Sequence, residues 1–236
     1  MKTTTKLLLC LAAAVLPALA SAESTPSADY ARYCVWCHGA QGTGRGPSAA
    51  RLTPVPRDFR AAQFRCRTTP SGSLPTDDDL RTAIRRGMPG TAMPSWAALS
   101  DRQLADLLAT LKAFSPAWGK KGPGTPIVVP PEPPGTAESV QRGHAVYDKM
   151  GCATCHGPSG HGDGPAASTL RDDQGNPIRP ADFTVPGGLK CGDSPERVYT
   201  TFMTGLNGTP MPSFDGQLGP AEAWDLVHFV ASLREQ

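Results

Sequence analysis

Four stretches of the chain repeat apolar residues at intervals of three and four, the spacing that gathers them on one face of an α-helix. The clearest are LSDRQLADLLATLKAF at 99–114 and LGPAEAWDLVHFVASL at 218–233, with Ser100 and Gly219-Pro220 as start signals. Two more, Ser27 to Tyr33 and Ser139 to Met150, stand just ahead of cysteine motifs, and the second carries Gly143 and Tyr147 on one face. No segment alternates polar and apolar residues as a half-buried strand does. The pattern predicts an all-α protein.

A different apolar run opens the chain. Lys2 and Lys6 precede an uncharged stretch from Leu7 to about Leu19, followed by Ala20-Ser21-Ala22, the arrangement of a secretory signal peptide cleaved after about Ala22. Cys10 as a lipid attachment site fits poorly, because Leu9 stands where that processing needs a small residue. The run is shorter than the roughly 18 apolar residues of a membrane span, and no later segment reaches that length. The expectation is an exported, periplasmic protein with no integral membrane span.

Residues 119–135, GKKGPGTPIVVPPEPPG, hold six prolines and four glycines. Such a segment favours extended polyproline geometry over helix and acts as a semi-stiff strap. It divides the chain into a first domain at 23–118 and a second at 136–236, and the second repeats the first. HGAQGTGRGPSAARL at 38–52 matches HGPSGHGDGPAASTL at 156–170, PRDF at 56–59 matches PADF at 180–183, FRC at 64–66 matches LKC at 189–191, and GTAMPSW at 90–96 matches GTPMPSF at 208–214.

Charge changes the picture only through its distribution. Without residues 1–22 the chain carries 21 basic and 21 acidic residues, which gives no reason to expect a nucleic-acid partner. The first domain, however, is about +4 and the second about −5 by formal count. A dipole of this kind can orient a charged partner during encounter, although charge also drifts between domains without consequence.

The chemistry lies in YCVWCH at 33–38 and GCATCH at 151–156. A C-x-x-C pair followed at once by His is the haem attachment signal, in which two thiols add to the porphyrin vinyl groups and the His ligates iron. Zinc would need further paired ligands, and a redox C-x-x-C does not require His next door. Cys34, Cys37, Cys152 and Cys155 are therefore thioether candidates, and the cofactors expected are two covalently bound haem c groups with their iron.

With these motifs in both halves, the chain resembles the class I c-type cytochromes over residues 27–114 and 139–233. The resemblance implies an all-α fold of two tandem domains, each wrapped around its haem, with His38 and His156 as proximal iron ligands and a downstream Met as the distal ligand. Met93 and Met211 share the repeated GT-x-MPS, whereas Met88 falls opposite Leu206 and Met203 lacks the following proline, so Met93 and Met211 are the choices. The family also places the carbonyl of a proline after the motif against the other nitrogen of the proximal His; Pro47 and Pro165 match that position.

Cys66 and Cys191 are left over at matching repeat positions. Equivalent residues near a pseudo-two-fold axis can meet, so an interdomain disulfide is one reading in an oxidising compartment. Separate burial, or sulfur ligation of iron by one of them, are the others. The resemblance implies a one-electron carrier between redox partner proteins, donor and acceptor, with a place peripheral to a membrane redox complex as one reading. The alternatives are a haem enzyme, peroxidase-like or thiosulfate-oxidising, and an electron-transfer subunit of a larger oxidoreductase.

Overall fold

The computed structural model describes residues 25–234; the expected leader, its cleavage after Ala22, and Cys10 lie outside the described residues. The first half contains α1 (Ala28–Tyr33), α2 (Val35–His38), α3 (Asp77–Arg86), α4 (Asp101–Ala113) and α5 (Ala117–Lys121). The second contains α6 (Ala137–Lys149), α7 (Ala153–His156), α8 (Pro195–Thr204) and α9 (Pro220–Ser232). Among the described residues there is no strand, only two isolated bridges, Leu74 with Pro123 and Arg171 with Pro177. In chain order α1, α2, α3 and α4 correspond to α6, α7, α8 and α9.

The helices begin where their caps dictate. Ser100 and Gln103 form a reciprocal capping box at α4, and Thr76 and Asp79 form one at α3. The first turn of α3 is Asp77-Asp78-Asp79 and its last carries Arg85 and Arg86, so charge complements the helix dipole at both ends. Ser194 caps α8 and Pro195 occupies its first turn, where a missing N–H costs nothing. Neither α3 nor α8 was expected from apolar spacing; α3 buries only Asp79 and Leu80, and its signal is its capping.

The spacer departs from expectation at its start. α5 runs through Lys121, so residues 119–121 are helical, and extended chain begins beyond Gly122. The strap then follows the first half, with Gly124 N–H donating to the Leu74 carbonyl and Ile127 N–H to that of Thr68. It reaches the second half at Val129, which packs on that core, and at Glu132, whose carboxylate stands 3.3 Å from His228 Nε2.

The cores differ. In the second half one continuous cluster runs from Val146 to Leu233. α6 crosses α9 at Gly143, where a Cβ would overlap the Asp225 carbonyl; only glycine lets the two backbones touch. The first half divides into one cluster around Tyr30, Leu99, Leu104 and Leu107 and another around Phe64, Leu74, Leu80 and Leu108. His228 is buried with Nδ1 2.9 Å from Ser139 Oγ, His144 stacks on Phe229, and His161 is exposed.

The halves are joined covalently: Cys66 and Cys191 form a disulfide. Around it, arginines of the first half face acids and carbonyls of the second. Arg57 pairs with Asp173 at 3.3 Å and Arg65 with Asp172 at 3.6 Å. Buried Arg67 donates to the Thr204 and Gly205 carbonyls at the C-terminus of α8, where the helix dipole favours a cation, and Arg86 donates to the Leu189 carbonyl. Part of the charge difference between the halves thus acts inside the molecule.

Candidate haem sites

Each attachment motif is a single helical turn. His38 N–H donates to the Cys34 carbonyl and His156 N–H to that of Cys152, both at 2.9 Å, so two sulfurs and an imidazole leave one short segment. Behind each turn a buried tyrosine fixes its end: Tyr30 OH donates to the Gly39 carbonyl and Tyr147 OH to that of Gly157. Burial, together with the neighbouring Cys37 or Cys155, pushes the free thiols of Cys34 and Cys152 up to about 11; these sulfur atoms stand in for the thioethers of the attached protein.

Both imidazoles are held from behind. His38 Nδ1 lies 3.1 Å from the Arg57 carbonyl and His156 Nδ1 lies 3.0 Å from that of Ala181. A carbonyl only accepts, so Nδ1 carries the proton and Nε2 keeps its lone pair for iron. Burial, which outweighs that hydrogen bond, lowers both histidine pKa values and favours the neutral ring. Phe59 and Phe183 stack on the two rings at 4.4 and 4.3 Å.

These contacts correct the expectation for Pro47 and Pro165. Both prolines are exposed, in turns that fold back on the attachment helix, and the accepting carbonyls belong instead to the residues after Pro56 and Pro180. Residues 57 and 181 reach the rings because Phe59 N–H donates to the Gly42 carbonyl and Phe183 N–H to that of Gly160, bringing PRDF and PADF beneath the histidines. The sequence signal for this support was present: a phenylalanine recurs at the same place in both halves.

The methionine loops are also built alike. Met88 N–H donates to the Met93 carbonyl, and Leu206 N–H to that of Met211. Inside each loop a threonine bridges: Thr91 Oγ1 donates to the Met88 carbonyl and accepts from Met93 N–H, while Thr209 does the same between Leu206 and Met211. Gly87 and Gly205 end the preceding helices at φ 72° and 65°, and a Cβ on either would press into the Pro94 or Pro212 backbone at 2.6 Å. Met88 does not face the first site but lies with Sδ 3.9 Å from Cys66 Sγ.

The second half holds a cavity of 1190 Å³ lined by Cys152, Cys155, His156, Phe183, Met211 and Leu226. Its size exceeds the roughly 300–1,000 Å³ of ordinary ligand clefts. In the first half Cys34, His38, Phe59, Ile84, Met93 and Trp96 surround a cavity of 30 Å³. Space therefore fits haem in the second half, and donor chemistry fits it in both: two sulfurs, an imidazole with a free Nε2, and a thioether among apolar walls. Met203 packs on the second core and does not line the cavity.

Residues 140–234 match the family model described as cytochrome c, and residues 21–109 match that of cytochrome c oxidase, cbb3-type, subunit III. The fold is similar to a solved chain of the Kuenenia stuttgartiensis reducing HAO-like protein complex Kustc0457/Kustc0458, at 44% identity and TM-score 0.84, over 87% of this chain and 93% of that one. The chain belongs to the class I c-type cytochromes. No curated protein matches it. This cytochrome carries two covalently bound haem c groups, one in each half, and has an electron-transfer role. Among the described residues no helix is long and apolar enough to cross a membrane.

Proposed function

We propose that this cytochrome relays single electrons between a donor and an acceptor protein in the periplasm, with His38 and Met93 as the axial pair of the first haem and His156 and Met211 as that of the second. The observation that carries this reading is the duplication of the whole support around each pair: tyrosine clamp, backbone carbonyl on Nδ1, stacked phenylalanine and threonine-bridged methionine loop. Such support in both halves favours two closed electron-transfer centres over one carrier and one open catalytic centre.

Bound haem supplies a one-electron iron couple, whose potential His/Met ligation raises relative to two histidines. The protein's residues hold and orient: the carbonyls of Arg57 and Ala181 keep the protons on Nδ1, the phenylalanines fix the ring planes, and the buried apolar walls exclude water. Two neighbouring centres can pass charge between different partners or hold two electrons at different potentials.

The similar Kuenenia chain comes from a protein complex, which supports a second reading, that this cytochrome serves as a subunit of a larger oxidoreductase. Oxidised and reduced spectra of the holoprotein test the axial assignment. Both haems are expected to be low-spin with the sulfur-to-iron charge-transfer band, and Met93→Ala and Met211→Ala should each remove half of it. A high-spin haem in the unaltered protein, or turnover with peroxide or thiosulfate, would count against the carrier. Purification from the native source at low salt, alone or with a large partner, separates the two readings.

A further inference from the structure

The cavity of the second half is not closed by the second half alone. Arg65, from the first half, contributes to its wall together with Lys190, and these are equivalent positions of the repeat, each preceding a cysteine of the disulfide. The covalent link thus holds two cations side by side at one cavity. They are poorly compensated. Arg65 has one carboxylate in ion-pair contact, Asp172 at 3.6 Å, which already accepts from the Gln174 and Asn176 N–H groups and the Asn176 side chain; Asp173 also acts on it but is paired with Arg57. Arg65 Nε is buried without a hydrogen-bond partner, and Lys190 Nζ makes no hydrogen bond or ion pair among the described residues.

Two cations partly removed from water beside one another call for an anion. Burial first, and the charge of Arg57 second, pull the Arg65 guanidinium down to about 10, which leaves it a cation at neutral pH, and burial first, then the charge of Arg65, lower Lys190. The other charged groups along the wall are Arg179, His161, Asp163 and Asp182, and Asp182 is occupied by Thr184. None supplies a free carboxylate to the pair. Haem does: its two propionates stand on the half of the macrocycle away from the vinyl carbons that Cys152 and Cys155 take up.

We propose that Arg65 and Lys190, one from each half and juxtaposed by the Cys66–Cys191 disulfide, receive the propionate carboxylates of the second haem, so that the first half completes the second half's site and raises its potential. This rests on haem occupying the cavity with His156 as ligand. A cation beside the macrocycle favours the reduced, less positive iron. Removing both should lower the reduced-to-oxidised ratio of the second haem at fixed potential roughly tenfold, about 59 mV for one electron.

The experiment is a spectroelectrochemical titration of purified holoprotein, with Met211→His marking which wave belongs to the second haem. Arg65→Gln/Lys190→Gln should lower that wave and leave the other nearly in place, while Arg65→Lys and Lys190→Arg should keep it. Arg86→Gln, which loses an interface bond to Leu189 but does not line the cavity, should move neither. Unchanged potentials in the double variant, or equal shifts in it and in Arg86→Gln, overturn the proposal. Should the double variant fold poorly, the reduced-minus-oxidised infrared spectrum of Arg65→Lys decides: shifted propionate carboxylate bands support the contact, and unshifted bands refute it. Haem content per chain keeps the foundation separate, since Cys152→Ala/Cys155→Ala that retains all the haem of the unaltered protein refutes the occupancy itself.

Discussion

The two halves share a ligand frame but not a core. Their attachment turns, histidine supports and methionine loops can be laid on one another contact for contact. Around these frames the second half has a 13-residue entry helix that touches α9 backbone to backbone at Gly143, and a single apolar cluster. The first has a six-residue entry helix and two separate clusters, and it exposes Trp36 inside its attachment motif. Duplicated chains keep what the chemistry requires and let packing drift, so the same electron-transfer frame here sits on two differently packed scaffolds.

Removing attachment breaks the comparison most severely. Cys152→Ala/Cys155→Ala and Cys34→Ala/Cys37→Ala should each leave one haem per chain, read from the pyridine haemochrome spectrum. The second-half variant should lose more helical circular dichroism, because its one cluster surrounds the cavity. Equal losses would mean that the clusters do not depend differently on the cofactor.

Next in size is the link between the halves. Cys66→Ser/Cys191→Ser opens a disulfide that spans 125 residues, and the chain-entropy cost for a loop of that order is roughly 4–5 kcal/mol. With the arginine contacts, the Gly72 N–H bond to Asn207 Oδ1 and the strap left, denaturant unfolding should separate into two steps, the first half melting first. A single coincident transition would show that the polar interface alone makes the molecule one unit.

Gly143→Ala tests the scaffold difference within one half. A methyl group there forces α6 off the α9 backbone, at a cost of about 1–3 kcal/mol. The nearest first-half counterpart is a hydrogen bond, Ser27 N–H to Thr110 Oγ1, and Thr110→Ala should cost about 1 kcal/mol. Thermal unfolding followed by absorbance of each haem reads the two effects apart.

How much of this was legible in the sequence follows from which forces leave local marks. Apolar spacing marked α4 and α9, and Ser100 and Gly219 marked where they start. The attachment turn and the methionine loop are short motifs, and their recurrence singles out Met93 and Met211, which line the two cavities, over Met88 and Met203, which do not. α3 was missed because it is largely polar and is held by Thr76 and Asp79 at its cap. The carbonyl behind each histidine was misplaced because residues 57 and 181 reach the ring through a loop closed at Gly42 and Gly160, a contact no periodicity records. The interface was least legible: Arg57, Arg65, Arg67 and Arg86 have the composition of an ordinary basic surface, and only the fold sets them against the acids and carbonyls of the other half.

The smallest effect bears most directly on what the halves have in common. Thr91→Val and Thr209→Val keep shape but remove the hydroxyl that donates to the Met88 or Leu206 carbonyl and accepts from the N–H of Met93 or Met211, the proposed ligands. Each loses two hydrogen bonds on a partly solvated loop, about 1 kcal/mol of loop rigidity. The protein should stay folded, and the sulfur-to-iron band should weaken at a lower temperature than in the unaltered protein. If the ligand frame is independent of the scaffold, the two substitutions lower that temperature equally despite the different cores. A larger drop in the first half would mean that the divided core already loosens its methionine loop, and that frame and scaffold are coupled.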